Sequence, residues 1–398
     1  MTKTRIYLDH AATTRLHPQA LEAMRPFLDG EFGNPSGRYV LGKQAARAID
    51  KARNSVAEAL GCRPQEVVFT GPGTESINAA IKGVAFAQQF AGLGNHIVTT
   101  SIEHHAVLHS CDYLAKFGFE TTHVPVDSYG LVSPEDVARS VNERTVLVSV
   151  MLANNEVGTV EPLADITRAV RERAKSMRRR ISIHTDAVQG ANALDLNVKR
   201  LDVDLLSLSA HKFCGPKGAG VLYIKRGTPF LEHMSGGGQE RQRRAGTENV
   251  AGIAGTAAAL REAQAVRGEY ARHCRELSTR LLEGVLKSVP GAKLTGHPDQ
   301  RLPNNAHLSF EGAESDPMLA ALDRLGVAAS AGSACTSATW EPSHVLTAMG
   351  MPLSRAAGVL RLTCGPENSE DEIDYVLSVL PGVVAESRAK ARPGLSAK

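Results

Sequence analysis

"LLSLSAHKFCGPKGAGVLY", residues 205–223, places an apolar run directly before a lysine and a glycine-rich turn, and a second apolar run follows. The first run is typical of a strand that is buried on both faces of a sheet. Lys212 follows the end of this strand. It is either a solvated residue at the edge of the sheet, as most lysines are, or a desolvated amine with a chemical role. The rest of the sequence decides between these two interpretations.

Short apolar runs alternate with helical stretches over residues 67–224. The strand-like runs are residues 67–70, 96–100, 122–126, 145–151, 181–188, 203–210 and 220–224, and helical stretches include residues 105–118 and 163–177. This pattern predicts an α/β fold with a mainly parallel sheet wrapped by helices. From Asn249 onward, a long alanine-rich helix is followed by further strands and a closing helix, which predicts a smaller α+β domain.

The composition is that of a globular protein with more than one domain. The 398 residues are 42% hydrophobic and 22% charged, and the formal net charge is +3. This charge is too small to indicate direct nucleic-acid or membrane binding. The N-terminus has no apolar signal core and no stretch approaches the ~20 apolar residues of a membrane helix, so a cytoplasmic location is expected. Six cysteines without a CxxC pair are expected to be reduced thiols.

A glycine-containing segment, "TGPGTESIN" at residues 70–78, connects a strand-like run to a helical stretch. The backbone amide of Gly73 and the hydroxyl of Thr74 then lie at a helix N-terminus, which suits a phosphate group. The alternative is an ordinary helix cap provided by Thr74.

Other polar side chains follow three further strand-like runs, where ligands collect in open α/β sheets. Asp186 in "HTDAVQ" could hold a protonated heterocyclic nitrogen, although it could also cap the next segment. His104 could stack on a planar ring or move protons near neutral pH. The amide of Asn155 could hold a ring hydroxyl.

Together with Lys212, these residues describe a site for pyridoxal 5'-phosphate. This cofactor requires a lysine that binds it covalently, an aspartate on its pyridine nitrogen and a cup for its phosphate. Desolvation lowers the pKa of a lysine amine, which makes the amine both a nucleophile and a base. The sequence therefore favours the functional interpretation of Lys212.

The ordered set of motifs resembles the group I (NifS/IscS-like) cysteine desulfurases, class V enzymes of pyridoxal-phosphate fold type I. The segments that carry this resemblance are "YLDHAATT", "GNPSG", "TGPGTESIN", "EHHAVL", "NNEVG", "HTDAVQ", "SAHKFCGPKG", "GGGQERQRRAGTEN" and "GSACTSATWEPSHVL". They span nearly the whole chain. The resemblance implies a large cofactor domain at residues 15–255 with a mainly parallel seven-stranded sheet. It also implies a small α+β domain formed by residues 1–14 and 256–398.

The resemblance also implies roles for individual residues. Lys212 would bind the cofactor and abstract the substrate α-proton, and His104 would stack on the ring and assist proton transfer. Cofactor contacts are implied for Asp186, Gln189, Asn155, Gly73, Thr74, Ser209 and His211, and for Thr247 from the second subunit of a homodimer. Substrate contacts are implied for Arg361, whose guanidinium can grip an α-carboxylate bidentately, and for Asn34. No metal is expected.

Cys335 is the residue that decides the chemistry. It lies among small residues in "GSACTSATWEPS", which is typical of an exposed loop and not of an apolar core. A thiolate there could take the sulfur of L-cysteine as a persulfide and leave L-alanine. The resemblance implies delivery of this sulfur to an acceptor protein, for iron–sulfur cluster assembly or for nucleic-acid thiolation.

Three features depart from the pattern of the resembled family: Gly37 followed by Tyr39, Cys214 near the cofactor lysine, and the ending "TCGPENS" with Cys364. The two additional thiols are expected to be accidental, with a persulfide relay as the alternative. Two other functions stay open from sequence alone. One is another class V enzyme, such as a selenocysteine lyase or an aminotransferase, and the other is a sulfur-pathway scaffold with a vestigial site.

Overall fold

The computed structural model describes residues 5–332 and 342–391. In these ranges the strands are β1 (Ile6–Tyr7), β2 (Val67–Thr70), β3 (His96–Thr100), β4 (Glu120–Val124), β5 (Thr145–Ser149), β6 (Ser182–Asp186), β7 (Leu205–Ser209), β8 (Gly220–Ile224), β9 (Ala292–Leu294), β10 (Asn305–Phe310), β11 (Val327–Ala328) and β12 (Val359–Thr363). The helices are α1 (Pro18–Met24), α2 (Val40–Leu60), α3 (Gly73–Phe90), α4 (His105–Ala115), α5 (Pro134–Ser140), α6 (Leu163–Ser176), α7 (Val198–Leu201), α8 (Gln239–Gln242), α9 (Val250–Ala265), α10 (Arg267–Ser288), α11 (Ser315–Arg324), α12 (His344–Ala348), α13 (Leu353–Ala356) and α14 (Glu370–Lys390). Short 3₁₀ turns occupy Arg25–Phe27, Pro64–Glu66 and Ala210–Lys212.

The central sheet has seven strands in the order β2-β8-β7-β6-β5-β3-β4. All neighbouring pairs from β7 to β4 are parallel, and β8 is antiparallel to both β7 and β2. The prediction of a mainly parallel seven-stranded α/β sheet is confirmed. Because β5, β6 and β7 are parallel, their carboxyl ends meet at one edge of the sheet.

Helices cover both faces of this sheet, which explains why its strands read as continuous apolar runs. On one face, Leu206 and Leu208 of β7 belong to a core that also contains residues of α2, α6 and α9. On the other face, Leu205 of the same strand packs in a core with residues of α3 and α4. The alternation along β7 therefore divides one apolar strand between two cores.

A second region is built on the antiparallel sheet β12-β10-β9. Its core contains residues of α10, α11 and α14, and Leu8 from the N-terminal segment is fully buried in it. Helix α9 packs on the first core through Ile253, Ala257 and Leu260, and the following helix α10 packs on the second. The division into domains at residues 14/15 and 255/256 stays a prediction.

Two further expectations concern membranes and disulfides. No helix in the described ranges is both long enough and apolar enough to cross a membrane. The five cysteines placed by the structure are all free thiols: Cys62, Cys111, Cys214, Cys274 and Cys364. The sixth, Cys335, lies outside the described residues.

Candidate active site

A cavity of about 390 Å³ opens at the carboxyl ends of β5, β6 and β7, beside the first turns of α3 and α4. Helix α3 begins at this edge because the turn Gly71–Pro72 follows β2 directly. Ten of the predicted site residues line the cavity, namely Gly73, Thr74, His104, Asn155, Asp186, Gln189, Ser209, His211, Lys212 and Arg361. The fold thus brings together side chains that are nearly 300 residues apart in sequence.

Lys212 lies in the 3₁₀ turn that follows β7, and its amine is largely withdrawn from water. The Nζ atom donates to the backbone carbonyls of Ala11 and Ala12, both at 2.6 Å. Burial and, to a smaller extent, the nearby Arg361 guanidinium lower the pKa of Lys212 to about 8, against the raising effects of Asp9 and Asp186. A substantial fraction of the amine is therefore neutral near physiological pH.

Asp186 is the last residue of β6, and only 7% of its surface is exposed. Its Oδ1 atom accepts a hydrogen bond from the Val188 amide at 3.0 Å. Burial raises the pKa of Asp186 to about 6, against the lowering effects of that hydrogen bond and of Lys212. The carboxyl group is consequently a sheltered anion at neutral pH, although it also serves as the local turn cap that the sequence offered as an alternative.

His104 is a neutral imidazole at the start of α4. Its Nδ1 atom accepts a hydrogen bond from the Ala106 amide at 3.1 Å, so the ring proton lies on Nε2. Burial, together with the smaller effect of the Lys212 charge, lowers the pKa of His104 to about 4. The ring therefore offers a flat, uncharged surface and one donor to the cavity.

The start of α3 and the end of β7 approach each other closely at one end of the cavity. The Gly73 amide donates to the Ser209 Oγ atom at 3.2 Å. A Cβ atom on Gly73 would lie 2.9 Å from the Ser209 Cβ and 3.1 Å from a Val188 methyl, so only glycine fits. Thr74 is exposed, and the N-cap of α3 is Pro72 without a side-chain cap. The alternative of an ordinary cap by Thr74 is wrong, and Thr74 lines the cavity.

His211 and Gln189 complete the wall near the N-terminal segment. The Nδ1 atom of His211 lies 3.1 Å from the Thr13 hydroxyl, and burial lowers the pKa of His211 to about 4. The Gln189 Nε2 atom donates to the Ala11 carbonyl at 3.0 Å. These contacts hold residues 11–13 beside the cavity wall, so the N-terminal segment forms part of the site.

Arg361 lies in the middle of β12 with 3% of its surface exposed. Its Nη1 atom donates to the carbonyls of Asn155 at 2.7 Å and Gly332 at 3.2 Å, and its Nη2 atom forms an ion pair with Asp9 at 2.9 Å. The buried Nε atom has no hydrogen-bond partner within the described part of the chain. Arg361 is therefore a cation at the cavity wall whose terminal nitrogens are already hydrogen-bonded and whose Nε–H group is buried without a partner among the described residues.

Asp9 and the carbonyls of Ala11 and Ala12 are cavity contacts that the sequence analysis missed. Asp9 stands in the motif "YLDHAATT", which carried the family resemblance without a residue role. Its carboxylate next to Arg361 could have been found from this motif as an unexplained acidic residue. The two alanine carbonyls carry no side-chain signal, because any residue type offers the same group.

Two predicted residues, Asn34 and Thr247, do not line the cavity, and a third, Cys335, is not among the described residues. Asn34 is exposed, and its Oδ1 atom accepts from the Ser36 amide at 2.9 Å, which stabilises its own turn. Thr247 is also exposed and does not line the cavity of its own chain. Cys335 lies outside the described residues, although Gly332, three residues before it, lines the cavity. The roles of all three stay predictions.

The departures from the family pattern also find physical explanations. A Cβ atom on Gly37 would lie 2.5 Å from the Tyr39 ring, so the glycine and the tyrosine fit as a pair. Burial raises the pKa values of the Cys214 and Cys364 thiols. A thiolate is the reactive form of cysteine, so the raised pKa values favour accidental thiols over a relay.

The donors around the cavity fit pyridoxal phosphate by their chemistry. A desolvated lysine amine, a buried carboxylate and a flat neutral imidazole face one space, and the amide and hydroxyl donors at the α3 N-terminus suit a phosphate. At Gly73 the turn before α3 packs so closely on Ser209 and Val188 that a side chain is excluded there.

Comparisons with known proteins cover nearly the whole chain. The sequence matches the class V aminotransferase family over residues 6–376. The cysteine desulfurase IscS of Methanosarcina thermophila is 47% identical over 383 residues, which cover 96% of this chain and 93% of that protein. A solved NifS-like protein has a TM-score of 0.89 and 39% identity, covering 96% of this chain and 100% of that chain. A structure of SspA in complex with cysteine has a TM-score of 0.78 and 33% identity, covering 92% of this chain and 100% of that chain.

These similarities confirm the resemblance stated from the sequence, the fold-type I architecture and the requirement for pyridoxal phosphate. They favour a cysteine desulfurase over the alternatives of another class V enzyme, such as a selenocysteine lyase or an aminotransferase, and of a scaffold with a vestigial site, because relatives that are 44–47% identical over nearly the full length carry the name cysteine desulfurase IscS. The chain belongs to the class V aminotransferase family and, within it, to the NifS/IscS-like cysteine desulfurases, which are pyridoxal-phosphate enzymes of sulfur transfer.

Proposed function

We propose that the cavity around Lys212 converts L-cysteine to L-alanine and that Cys335 carries the released sulfur as a persulfide to an acceptor protein. The observation that supports this most strongly is the meeting of three groups in one cavity: the Lys212 amine, the Asp186 carboxylate and the Arg361 guanidinium. The solved relative SspA, whose structure contains cysteine, supports this choice of substrate.

The roles proposed for the cavity residues follow from their chemistry. When bound, pyridoxal phosphate withdraws electrons from the carbon next to the substrate amine. Asp186 would hold the pyridine nitrogen, Gln189 and Asn155 would contact the ring hydroxyl, and His104 would lie on the ring. Gly73, Thr74, Ser209 and His211 would hold the phosphate, together with Thr247 of a second subunit.

Lys212 would move the proton of the substrate α-carbon. Because the pKa of Lys212 is lowered to about 8, the amine can both accept and return a proton near neutral pH. The Ala11 and Ala12 carbonyls keep the amine at one place in the cavity while it is free. His104, with its proton on Nε2, is a second donor at the same wall.

Cys335 would perform the sulfur step. Its thiolate would attack the sulfur of the bound substrate, forming an S–S bond while the C–S bond breaks and the bonding electron pair stays with carbon. Protonation of that carbon then gives L-alanine, and no external oxidant or reductant is consumed. We propose iron–sulfur cluster assembly or nucleic-acid thiolation as the use of the persulfide.

The proposal includes three further features: a homodimer, a cytoplasmic environment and a role for Asn34. The exposure of Thr247 outside the cavity of its own chain supports a homodimer with shared sites. The free thiols support a reducing, cytoplasmic environment. Asn34 would assist the substrate carboxylate only from a second subunit or after a change in its turn, because its side chain is occupied locally.

The products formed from L-cysteine test the proposed function. Protein loaded with pyridoxal phosphate is expected to release alanine and reducible sulfur in a 1:1 ratio, without an added keto acid. An aminotransferase would instead form the keto acid of cysteine and require a second keto acid for turnover. Keto-acid formation without alanine would overturn the proposal.

Replacing Arg361 by lysine is expected to weaken substrate binding. A lysine carries one nitrogen and cannot contact Asn155, Gly332 and Asp9 while also gripping a carboxylate. Losing one charged, bidentate contact raises the KM for L-cysteine by about 10- to 100-fold. The matched control is Arg355→Lys, which alters a cation that pairs with Glu311 outside the cavity. An unchanged KM in Arg361→Lys would remove Arg361 from the substrate site.

The capture of pyridoxal phosphate by cofactor-free protein is expected to follow the titration of Lys212. Only the neutral amine is a nucleophile, so the rate rises by roughly tenfold per pH unit below the pKa and becomes constant above about 8. Absorbance of the bound cofactor after rapid mixing measures this rate. A lysine derivative in solution, with its ordinary pKa near 10.4, is the control and continues to accelerate up to about pH 10. The same behaviour in the protein would contradict a desolvated Lys212.

A further inference from the structure

The segment of residues 234–249, here called the arginine-rich loop, contains an unusual backbone turn. Three successive residues without glycine adopt left-handed conformations, with φ angles of 46° at Glu240, 57° at Arg241 and 61° at Gln242. A side chain disfavours this region, so a run of three requires contacts that hold it in place. The loop also carries Thr247, the residue proposed to contact the cofactor of a second subunit.

A buried ion pair supplies those contacts. Glu240 is 6% exposed and accepts both ends of the Arg53 guanidinium, at 2.7 Å from Nη1 and 2.9 Å from Nη2. Arg53, on α2, is 5% exposed, lies over the Phe69 ring and donates to the Val67 carbonyl at 2.8 Å. The Phe69 amide donates to Glu240 at 3.0 Å. The left-handed turn is thus fixed to β2, the strand that leads into α3.

A second ion pair fixes the loop closer to Thr247. The Arg244 Nε atom lies 2.8 Å from a Glu75 carboxylate oxygen, and Glu75 also accepts the Gly71 amide at 2.9 Å. Gly71 and Glu75 flank Gly73 and Thr74, which line the cavity. The loop is therefore fixed at two points, to β2 through Glu240 and to the first turn of α3 through Arg244.

We infer that Arg53 and Glu240 are positioning residues that fix the arginine-rich loop so that Thr247 reaches the cofactor of the partner subunit. Neither residue of the pair lines the cavity, and both hydrogen-bond to the backbone of β2, so the pair holds the loop against that strand. If the pair merely stabilised its own chain, replacing it would weaken cofactor binding in that chain. If the pair positions the loop, replacing it weakens cofactor binding in the partner chain. This inference rests on the proposed homodimer.

Mixed dimers distinguish these two cases. Lys212→Ala prevents covalent cofactor binding in the subunit that carries it. Each mixed dimer therefore has one site left to titrate, in the other subunit. In the first dimer, one subunit carries Glu240→Gln and its partner carries Lys212→Ala, so the working site lies beside the altered pair and receives an intact loop. In the second dimer, Glu240→Gln and Lys212→Ala share one subunit, and the working site receives the altered loop. Two different affinity tags isolate each combination.

The dissociation constant of pyridoxal phosphate is measured by titrating each cofactor-free mixed dimer. The second dimer is expected to bind about tenfold more weakly than a mixed dimer of wild type and Lys212→Ala, since one hydrogen bond to a charged group is lost. The first dimer is expected to match that reference. Thr247→Ala in place of Glu240→Gln should reproduce both results, which shows that the effect passes through the hydroxyl.

The opposite outcomes overturn the inference. If the first dimer carries the loss, or if both dimers carry it equally, the pair acts within its own chain. If Glu240→Gln does not fold, Arg53→Lys, which keeps the charge and loses the bidentate geometry, replaces it with the same expectations. A single-chain mass for the wild-type protein in solution would overturn the proposed homodimer together with this inference, whereas a dimer with equal losses overturns this inference alone.

Discussion

Lys212→Ala is expected to lower the rate of alanine formation from L-cysteine by about 10³-fold or more, because one side chain both binds the cofactor and moves the α-proton. The variant should also lack the visible absorbance of lysine-bound cofactor. The protein is expected to remain folded, since within the described part of the chain the Lys212 amine donates just two hydrogen bonds, to the carbonyls of Ala11 and Ala12. Absorbance spectra and alanine assays of the same sample measure both effects.

The matched control for Lys212→Ala is Lys217→Ala. Lys217 lies in the same turn five residues further on, but it is exposed and does not line the cavity. This control should keep both the absorbance and the alanine rate. If Lys212→Ala retained the wild-type absorbance, another amine would bind the cofactor and the assignment of the cavity would be wrong.

Cys335→Ala is expected to stop the formation of both alanine and persulfide, with losses of about 10³-fold. Without a thiolate to receive the sulfur, the C–S bond has no acceptor and the reaction halts before alanine leaves. The absorbance of lysine-bound cofactor should persist, because Lys212 is unchanged. This combination separates a defect in sulfur transfer from a defect in cofactor binding.

Cys214→Ala is the matched control for Cys335→Ala. Cys214 lies two residues after Lys212, and burial raises the pKa of its thiol, so it is a poor nucleophile near neutral pH. The control is expected to form both products. Continued alanine formation in Cys335→Ala would mean that Cys335 is not the sulfur acceptor, and loss of persulfide in Cys214→Ala would support a relay.

The architecture was largely predictable from the sequence, because its signals are local. A run such as residues 205–208 must be buried on both faces, and the structure divides it between two cores. Positions at strand ends were also predictable, since a parallel sheet brings these ends together. The start of β4 was predicted two residues late, at Thr122 instead of Glu120. The exposed Glu120 lacks the apolar signal of a strand, yet it is paired through the backbone of β3.

The contacts that depend on chain path were not predictable. The Lys212 amine bonds to carbonyls 200 and 201 residues away, and no side chain marks such a partner. The left-handed turn at Glu240 was also hidden, because none of its three residues is a glycine. Only the buried Arg53 partner makes that backbone conformation understandable. Long-range approach of one segment to another therefore limits what a single sequence reveals.

The central claim is that the sulfur of L-cysteine is transferred to Cys335, and mass spectrometry of one turnover tests it most directly. Loaded protein is mixed with an equimolar amount of L-cysteine labelled with a heavy sulfur isotope, trapped with an alkylating reagent and digested. The account predicts the labelled sulfur on the peptide that contains Cys335, in an amount that matches the alanine formed. Labelled sulfur on the Cys214 or Cys364 peptide instead, or alanine without any labelled peptide, would contradict it.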